Sequence, residues 1–464
     1  MKWSFLKVLV CGSLLLLTVN AVAAGKITGY RGQVFCFIDN PVEVTDVKDS
    51  YKYYKDGVLY VQDGKILEAG EYASLKNKYS SNSTIVDYTG KLITPGFVDA
   101  HVHYAQMEMV ASYGDQLVQW LEKYTMPTER KFSDLKYATK IANLFIDQLI
   151  NNGTTTAQVF ATVAPESVNA FFTVAQARNM RMIAGLAFMD ENAPDYALIT
   201  PEKAYSETKK LIDEWNNNGR LNYSVTPRSA YLLSDAEMQV ANRLLKEYPG
   251  IRLQTHLAEN MESVNMVKKM FPGKGDYLEV YDSYGLLTNH STFAHSIWIS
   301  DDDFKLLAKK GGSAVFCPTS NLFLGSGLFN IGSANKHHTK VALGTDFAAG
   351  TSLSIFQTMN EAYKVTQLRK AFSDNPDSVK ALDPFQNFYL ATLGGSRALG
   401  LDQYIGSFSP GMEADFIVLD LQSTPILALR ESRSQTLQDT LFALEIVGDD
   451  RTVLHTYIMG EKVK

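Results

Sequence analysis

The stretch that decides the fold is "PGFVDAHVHYAQ", which runs from Pro95 to Gln106. A short apolar run leads into two histidines that are separated by one residue. In an extended strand alternate side chains point the same way, so His101 and His103 share one face. A buried, hydrogen-bonded pair of histidines would leave the same pattern. The alternative is that the two imidazoles converge on one metal ion.

The region that follows alternates strand-like runs with helical segments. There are eight strand-like runs: "GFVDAH", "TTTAQVF", "RMIAGLAF", "NYSVTP", "IRLQTH", "STFAH", "SAVFCP" and "KVALGTD". Segments such as "DAEMQVANRLLKEYP" and "DDDFKLLAKKGG" lie between them. This alternation predicts an α/β fold, a (β/α)8 TIM-like barrel over residues 95–404. The first long helix is expected to begin at Ser133 as its N-cap and to stop at Gly153.

Both ends of the remaining chain are rich in β-type sequence. The segment "GVLYVQDGKILEAG" contains an Asp63-Gly64 hairpin signal, and "MEADFIVLDL" and "TVLHTYIMGEKV" follow the barrel region. We therefore expect residues 25–94 and 405–464 to join in one small β-sandwich domain beside the barrel.

The first 24 residues have the pattern of a cleaved secretory signal. Lysines precede an apolar core, and small residues follow it. The core is too short for a stable membrane span, so we expect a chain that is exported, either periplasmic or secreted, rather than one held by an uncleaved anchor. Cys36 and Cys317 each lie in an apolar run and are expected to be buried thiols.

Composition limits the possible partners. The chain has 464 residues, of which 45% are hydrophobic and 20% are charged, and its net charge is -6. Acids and bases are interspersed, so no basic stripe is available to neutralise phosphates. Nucleic acid is excluded as an expected partner.

Three further polar residues end strand-like runs. His256 ends the fifth run, His295 ends the sixth and Asp346 ends the eighth. Barrel enzymes build their active sites at this end of the strands, and imidazoles with a carboxylate suit a divalent ion such as Zn²⁺. Glu259 lies three residues beyond His256, where it can transfer protons to and from a substrate; its alternative is a solvated loop acid.

The motifs "PGFVDAHVH", "THLAE", "AHS" and "LGTD" resemble the amidohydrolase superfamily. Longer stretches are similar to the guanine deaminases within it: "HVHYAQ", "WLEKYTMPTERKFSD", "SVTPRS", "CPTSNLFLGSGLF" and "LGTDFAAG". The resemblance covers nearly the whole chain after residue 24. It implies a hydrolase that uses one metal ion and water to convert guanine to xanthine and ammonia.

Carried over residue by residue, the resemblance implies three sets of site residues. Metal ligands would be His101, His103, His256 and Asp346; catalytic residues would be Glu259, His295 and Asp346; substrate contacts would be Gln106, Arg228 and Ser229. A bridging lysine marks relatives with two metals. The fourth run offers Arg228 and no lysine, so one ion is expected.

The substrate contacts leave alternatives open. Relatives usually place a phenylalanine where this chain has Ser229, so Tyr231 is the candidate for a ring that packs on the purine. Arg228 is expected to donate to the carbonyl oxygen of guanine, but it could instead form an ion pair at the barrel rim. Gln106 offers a donor and an acceptor, so we expect its amide to rotate and to set orientation more than base choice.

Two other functions fit the same residues less well. One is deamination of a related aminopurine or pterin, and the other is an idle binding protein on the same fold. The complete set of metal and proton-transfer residues favours an enzyme over the second. A homodimer is also expected.

Overall fold

The computed structural model describes residues 25–80, 82–114 and 116–464. The predicted signal peptide, residues 1–24, lies outside the described residues. Within the described part of the chain, no helix is both long enough and apolar enough to cross a lipid bilayer.

The strands, in chain order, are β1 Ile27–Phe37, β2 Tyr51–Gln62, β3 Lys65–Glu71, β4 Ser83–Pro95, β5 Phe97–His103, β6 Thr154–Phe160, β7 Arg181–Gly185, β8 Ala187–Phe188, β9 Asn222–Pro227, β10 Arg252–Leu257, β11 Ser291–His295, β12 Ser313–Phe316, β13 Lys340–Leu343, β14 Phe416–Leu419, β15 Val453–Ile458 and β16 Glu461–Lys462.

The helices are α1 Tyr72–Tyr79, α2 Leu117–Trp120, α3 Met126–Glu129, α4 Leu135–Asn151, α5 Pro165–Ala177, α6 Pro201–Trp215, α7 Asp235–Glu247, α8 Met261–Met270, α9 Tyr277–Ser283, α10 Asp301–Lys310, α11 Pro318–Phe323, α12 Ile331–Lys336, α13 Ile355–Ala371, α14 Pro384–Leu390, α15 Leu393–Ala398, α16 Pro425–Glu431 and α17 Leu437–Val447.

Parallel strands form the predicted barrel. The pairing order is β5-β6-β7-β9-β10-β11-β12-β13, with β8 paired to β9. Every residue of β5, β6 and β9 is buried, because helices cover the outside of the barrel and side chains fill its inside. All eight predicted runs are strands, so the barrel prediction is confirmed.

Contacts between the first and last strands close the barrel. The backbone N–H of Asp346 donates to the carbonyl of His101 at 2.9 Å, and that of His103 donates to Phe347 at 3.0 Å. The side chain of Asp99 accepts from the backbone N–H of Thr345 at 3.0 Å. The closure therefore holds His101 and His103, the predicted metal ligands on β5, beside Asp346, the predicted ligand that follows β13.

Helix α4 begins one residue later than predicted. Asp134, not Ser133, is its N-cap, because the Asp134 carboxylate accepts from the backbone N–H groups of Lys136 and Tyr137. The Ser133 hydroxyl instead donates to the carbonyl of Arg130 and ends the preceding turn.

The two chain ends share one seven-stranded sheet, in the order β16-β15-β14-β4-β1-β2-β3. Strand β4 pairs antiparallel with β14, which joins the N-terminal and C-terminal segments directly. The hairpin between β2 and β3 turns at Asp63 and Gly64, with φ of 51° and 74°, so the predicted turn is confirmed. The separate terminal sheet is thus confirmed, while the boundaries 25–94, 95–404 and 405–464 stay a prediction. Cys36 and Cys317 are buried free thiols, as expected.

Candidate active site

Three histidines and one aspartate meet at the C-terminal ends of the barrel strands. The Nε2 atom of His103 lies 3.3 Å from that of His101 and 3.2 Å from that of His256. Oδ1 of Asp346 lies 3.2 Å from His101 Nε2 and 3.3 Å from His103 Nε2. Four side chains from three separate parts of the chain therefore turn their ligand atoms toward one point.

The chemistry of this donor set fits a divalent metal ion. Nδ1 of His256 lies 2.6 Å from the backbone carbonyl oxygen of Arg228, which can only accept a hydrogen bond. Nδ1 thus carries the proton, and the lone pair of Nε2 faces the other histidines. His101, His103 and Asp346 form one group with ligand spacing for a metal, and His101, His256 and His295 form another. The predicted divalent metal is supported.

Burial controls the charge of the cluster. It lowers the pKa of His101, His103 and His256 well below the ordinary value, and the neighbouring histidines lower it further. Burial also raises the pKa of Asp346, although His295 and Arg228 oppose the shift. The imidazoles are therefore neutral, which is the form that binds a metal.

Glu259 and His295 stand beside the metal cluster. Nε2 of His295 lies 3.6 Å from Oε2 of Glu259 and 3.8 Å from Oδ2 of Asp346. Its Nδ1 lies 2.9 Å from Oδ1 of Asn321. Burial raises the pKa of Glu259 well above its usual range, and the charge of Asp346 adds to the shift. Glu259 is therefore buried and able to hold a proton, rather than being a solvated loop acid.

The backbone turns sharply where these side chains leave the strands. His295, Asp346 and Ala258 have φ of 69°, 47° and 46°, in the left-handed region that residues other than glycine seldom adopt. Such conformations cost free energy and concentrate at functional sites. Here they occur where the chain leaves β10, β11 and β13.

A cavity opens over the cluster. Its polar wall includes His103, Gln106, Arg228, His256, Glu259 and Asp346. Its apolar wall includes Leu117, Trp120 and Leu121, from α2 and the π-helical turn that follows it. The cavity therefore brings three of the four predicted metal ligands and the predicted purine contacts together around one space.

Arg228 lies in the cavity wall and is also ion-paired. Its two terminal nitrogens donate to the carboxylate of Glu129 at 2.7 and 3.0 Å. Burial acts against the positive charge, but Glu129 more than offsets it, so the pKa of Arg228 is raised. Gln106 donates from Nε2 to the same carboxylate at 3.1 Å. Arg228 therefore forms the ion pair that the sequence allowed and also lines the cavity, while its contact with guanine stays a prediction.

Ser229 also lines the cavity, and its hydroxyl lies 2.8 Å from the hydroxyl of Tyr277. Tyr231 and Tyr277 both line the same wall. Two aromatic rings are therefore available where the sequence suggested one.

Three residues of the site escaped the sequence analysis: Glu129, Tyr277 and Asn321. Each acts on a predicted residue that is distant in sequence, as Glu129 does on Arg228, 99 positions away. A single acid or tyrosine has no periodic signal of its own. The only available signal was that Glu129 and Asn321 fall within the stretches that resemble the family.

Comparisons with known proteins agree with this geometry. The sequence profile of the Amidohydrolase family matches residues 92–463. Guanine deaminase of Escherichia coli K12 is 47% identical over 426 residues, which are 92% of this chain and 94% of the relative.

Two solved structures are also similar. That of guanine deaminase from Bradyrhizobium japonicum is 35% identical, with a TM-score of 0.91 over 95% of this chain and 99% of the other. That of guanine deaminase from C. acetobutylicum, with guanine bound in its active site, is 28% identical, with a TM-score of 0.85 over 94% of this chain and 100% of the other.

The prediction of export is wrong. Close guanine deaminase relatives are ordinary cytosolic enzymes. The prediction depended on a compositional pattern over two dozen residues, and such a pattern records only charge and apolarity.

Proposed function

This chain belongs to the amidohydrolase family, and we infer that within it the chain acts on guanine. It catalyses the hydrolytic deamination of guanine, in which water replaces the amino group to give xanthine and ammonia. The observation that carries this conclusion is the single cavity that borders the metal-binding cluster, the buried acid Glu259 and the Arg228 guanidinium.

One divalent ion fits the cluster best. We assign His101, His103, His256 and Asp346 as its ligands, because their ligand atoms lie closest to one another. Zn²⁺ suits neutral imidazoles with one carboxylate. When bound, it supplies the Lewis acidity that makes water nucleophilic near neutral pH.

Residues of the cavity wall orient the base. Arg228 presents N–H donors to the carbonyl oxygen of guanine, and Gln106 contacts the adjoining part of the ring. Trp120 and Tyr231 provide flat apolar surface for the purine. The carbon that bears the amino group is thereby directed toward Glu259 and Asp346.

Glu259 and Asp346 move the protons. As the oxygen of water forms its bond to the carbon, Asp346 accepts a proton from the water and Glu259 donates one to the adjacent ring nitrogen. The Glu259 carboxylate next takes the remaining proton from the new hydroxyl group and transfers it to the amino group, so that the hydroxyl oxygen becomes the carbonyl of xanthine, the carbon–nitrogen bond breaks and ammonia leaves. The proton on Asp346 then returns to Glu259, which restores both groups. His295 lies against both carboxylates and stabilises the charge that develops between them.

Ammonia release from a panel of purines and pterins tests the function. Guanine should give the highest kcat/KM, and adenine should be rejected because its amino group would meet the donors of Arg228. Release from a pterin or another aminopurine in preference to guanine would favour the alternative substrate class. No release from any base would favour the idle binding protein.

The assembly state is a separate proposal. We propose a homodimer, and light scattering on the purified chain tests it directly. A mass of one chain at micromolar concentration would contradict it.

A further inference from the structure

Glu129 is a buried acid behind the cavity wall. It ends helix α3 and does not line the cavity, yet it contacts two residues that do, Gln106 and Arg228. Its two carboxylate oxygens accept three hydrogen bonds from these side chains, at 2.7, 3.0 and 3.1 Å. One side chain therefore sets the positions of two neighbouring polar groups in the wall.

The contact with Glu129 fixes the orientation of the Gln106 amide. A carboxylate that is paired with a guanidinium offers only acceptors, so the NH₂ group of Gln106 must face it. The oxygen Oε1 is then directed away from Glu129. Oε1 is buried and has no hydrogen-bond partner among the described residues. A buried acceptor without a protein partner is available to a ligand.

Glu129 orients Arg228 in a similar way. It takes one hydrogen bond from each terminal nitrogen, so the remaining N–H groups are the ones that can face the cavity. The wall therefore presents a fixed acceptor, from Gln106, beside fixed donors, from Arg228. The complement of this pattern is an N–H group next to a carbonyl oxygen, the lactam edge of a 6-oxopurine.

We propose that Glu129 is a positioning residue for base choice, which holds Gln106 as an acceptor beside the donors of Arg228 so that the cavity selects a lactam edge. The proposal builds on guanine as the substrate and changes the expectation for Gln106. Its amide is held and contributes to base choice, whereas a freely rotating amide would only orient the ring.

The test compares guanine with 2-aminopurine. The latter has the same amino group at the reacting carbon but lacks both the carbonyl and the neighbouring N–H. The wild-type enzyme should prefer guanine by about 100-fold or more in kcat/KM, since two buried polar groups are left without partners by 2-aminopurine. Glu129→Gln frees the amide of Gln106 to rotate. We expect the preference to fall about 10-fold or more, with the KM for guanine changed more than kcat.

A matched control and a second variant keep the test decisive. Glu445→Gln replaces another buried glutamate, on α17 and away from the cavity, and should leave the preference unchanged. If Glu129→Gln does not fold, Glu129→Asp keeps a carboxylate for Arg228 but shortens the reach to Gln106. The preference should again fall about 10-fold.

The outcomes separate this proposal from the function it builds on. A wild-type enzyme that releases no ammonia from guanine contradicts the function itself. An active wild-type enzyme, together with a folded Glu129 variant that loses activity equally on both bases, overturns only the positioning role. That result would make Glu129 a structural residue, because general damage to the site lowers both rates without changing their ratio.

Discussion

Two buried polar clusters lie at opposite ends of the barrel and differ in how their atoms are paired. The cluster at the N-terminal end joins Arg181 and Arg220 to Glu413 and Asp415, between the barrel and the terminal sheet. Glu413 accepts from Arg181 at 2.5 Å and from Arg220 at 2.7 Å, and Asp415 also accepts from Arg220. Opposite charges there are matched within the protein.

In and around the metal cluster at the C-terminal end, only some of the buried polar atoms have hydrogen-bond partners. Nδ1 of His103, Nε2 of His295 and Oε1 of Gln106 are buried and lack hydrogen-bond partners among the described residues. The carboxyl pKa follows this pairing only at Glu413, because burial raises the pKa of Asp415 in the same cluster, although Arg220 opposes that shift. Burial raises the pKa of Asp346, whereas at Glu413 the two arginines overcome burial and lower the pKa to about 2. Complete pairing fits a structural role for the first cluster, and the unpaired polar atoms beside the cavity fit a ligand-binding role for the second.

The largest effect should come from removal of the metal. We expect about one divalent ion per chain in the purified enzyme, and a chelator should reduce activity by more than about 1,000-fold, because several kcal/mol of transition-state stabilisation are lost. Elemental analysis and activity before and after dialysis measure this, and re-addition of Zn²⁺ should restore turnover. Two ions per chain, or full activity without any, would contradict the single-ion assignment.

A substitution in the paired cluster should lower the stability of the fold. Glu413→Gln removes one partner from two buried arginines and should lower the free energy of unfolding by about 3–5 kcal/mol, which denaturant titration measures. The exposed pair of Glu68 and Lys78 provides the control, since Glu68→Gln should cost less than about 1 kcal/mol. A loss of similar size in both variants would remove the distinction between the clusters.

A substitution beside the metal cluster should lower the turnover rate. Glu259→Gln removes the proton carrier without removing a proposed ligand, so the metal content should persist while kcat falls by about 100-fold or more. Near-normal kcat would exclude Glu259 from proton transfer. An unchanged free energy of unfolding in the same variant would support its placement in the unpaired, functional cluster.

The sequence predicted the barrel and the positions of the cluster residues because both have local signals. Barrel strands are short apolar runs, and His101, His103 and His295 stand at their ends. The pairing that orients these residues is not local. Glu129 meets Arg228 and Gln106 only after the chain has folded, so the fixed amide of Gln106 could not be inferred from its own segment. The roles of all these residues stay predictions until the variants are measured.

The predicted start of helix α4 was wrong for a related reason. Ser133 and Asp134 are both good N-cap residues, and the choice between them depends on which side chain reaches the free backbone N–H groups. Asp134 does so, while Ser133 is occupied by the preceding turn. Local preference narrows the start of a helix to a few residues, and the path of the incoming chain decides among them.

The smallest expected effect concerns a third kind of buried acid, one with neither a partner nor a ligand. Glu237 on α7 is fully buried, both of its carboxylate oxygens lack partners among the described residues, and burial, with Asp190 and Glu202 nearby, raises its pKa to about 9. In the unfolded chain this carboxyl titrates near 4.3. Between these values the folded state holds a proton that the unfolded state has released, so the free energy of unfolding falls as pH rises through this window. Glu237→Gln is neutral at every pH and should be more stable than the wild type by about 1–3 kcal/mol at pH 6, with little difference at pH 4.5. Denaturant titrations at both values measure the gain, and the exposed Glu214→Gln on α6 should show no such dependence. A gain of equal size at both pH values would mean that the carboxyl is not protonated by burial. In that case Glu237 would not be an example of a buried acid that stays protonated with neither a hydrogen-bond partner nor a ligand.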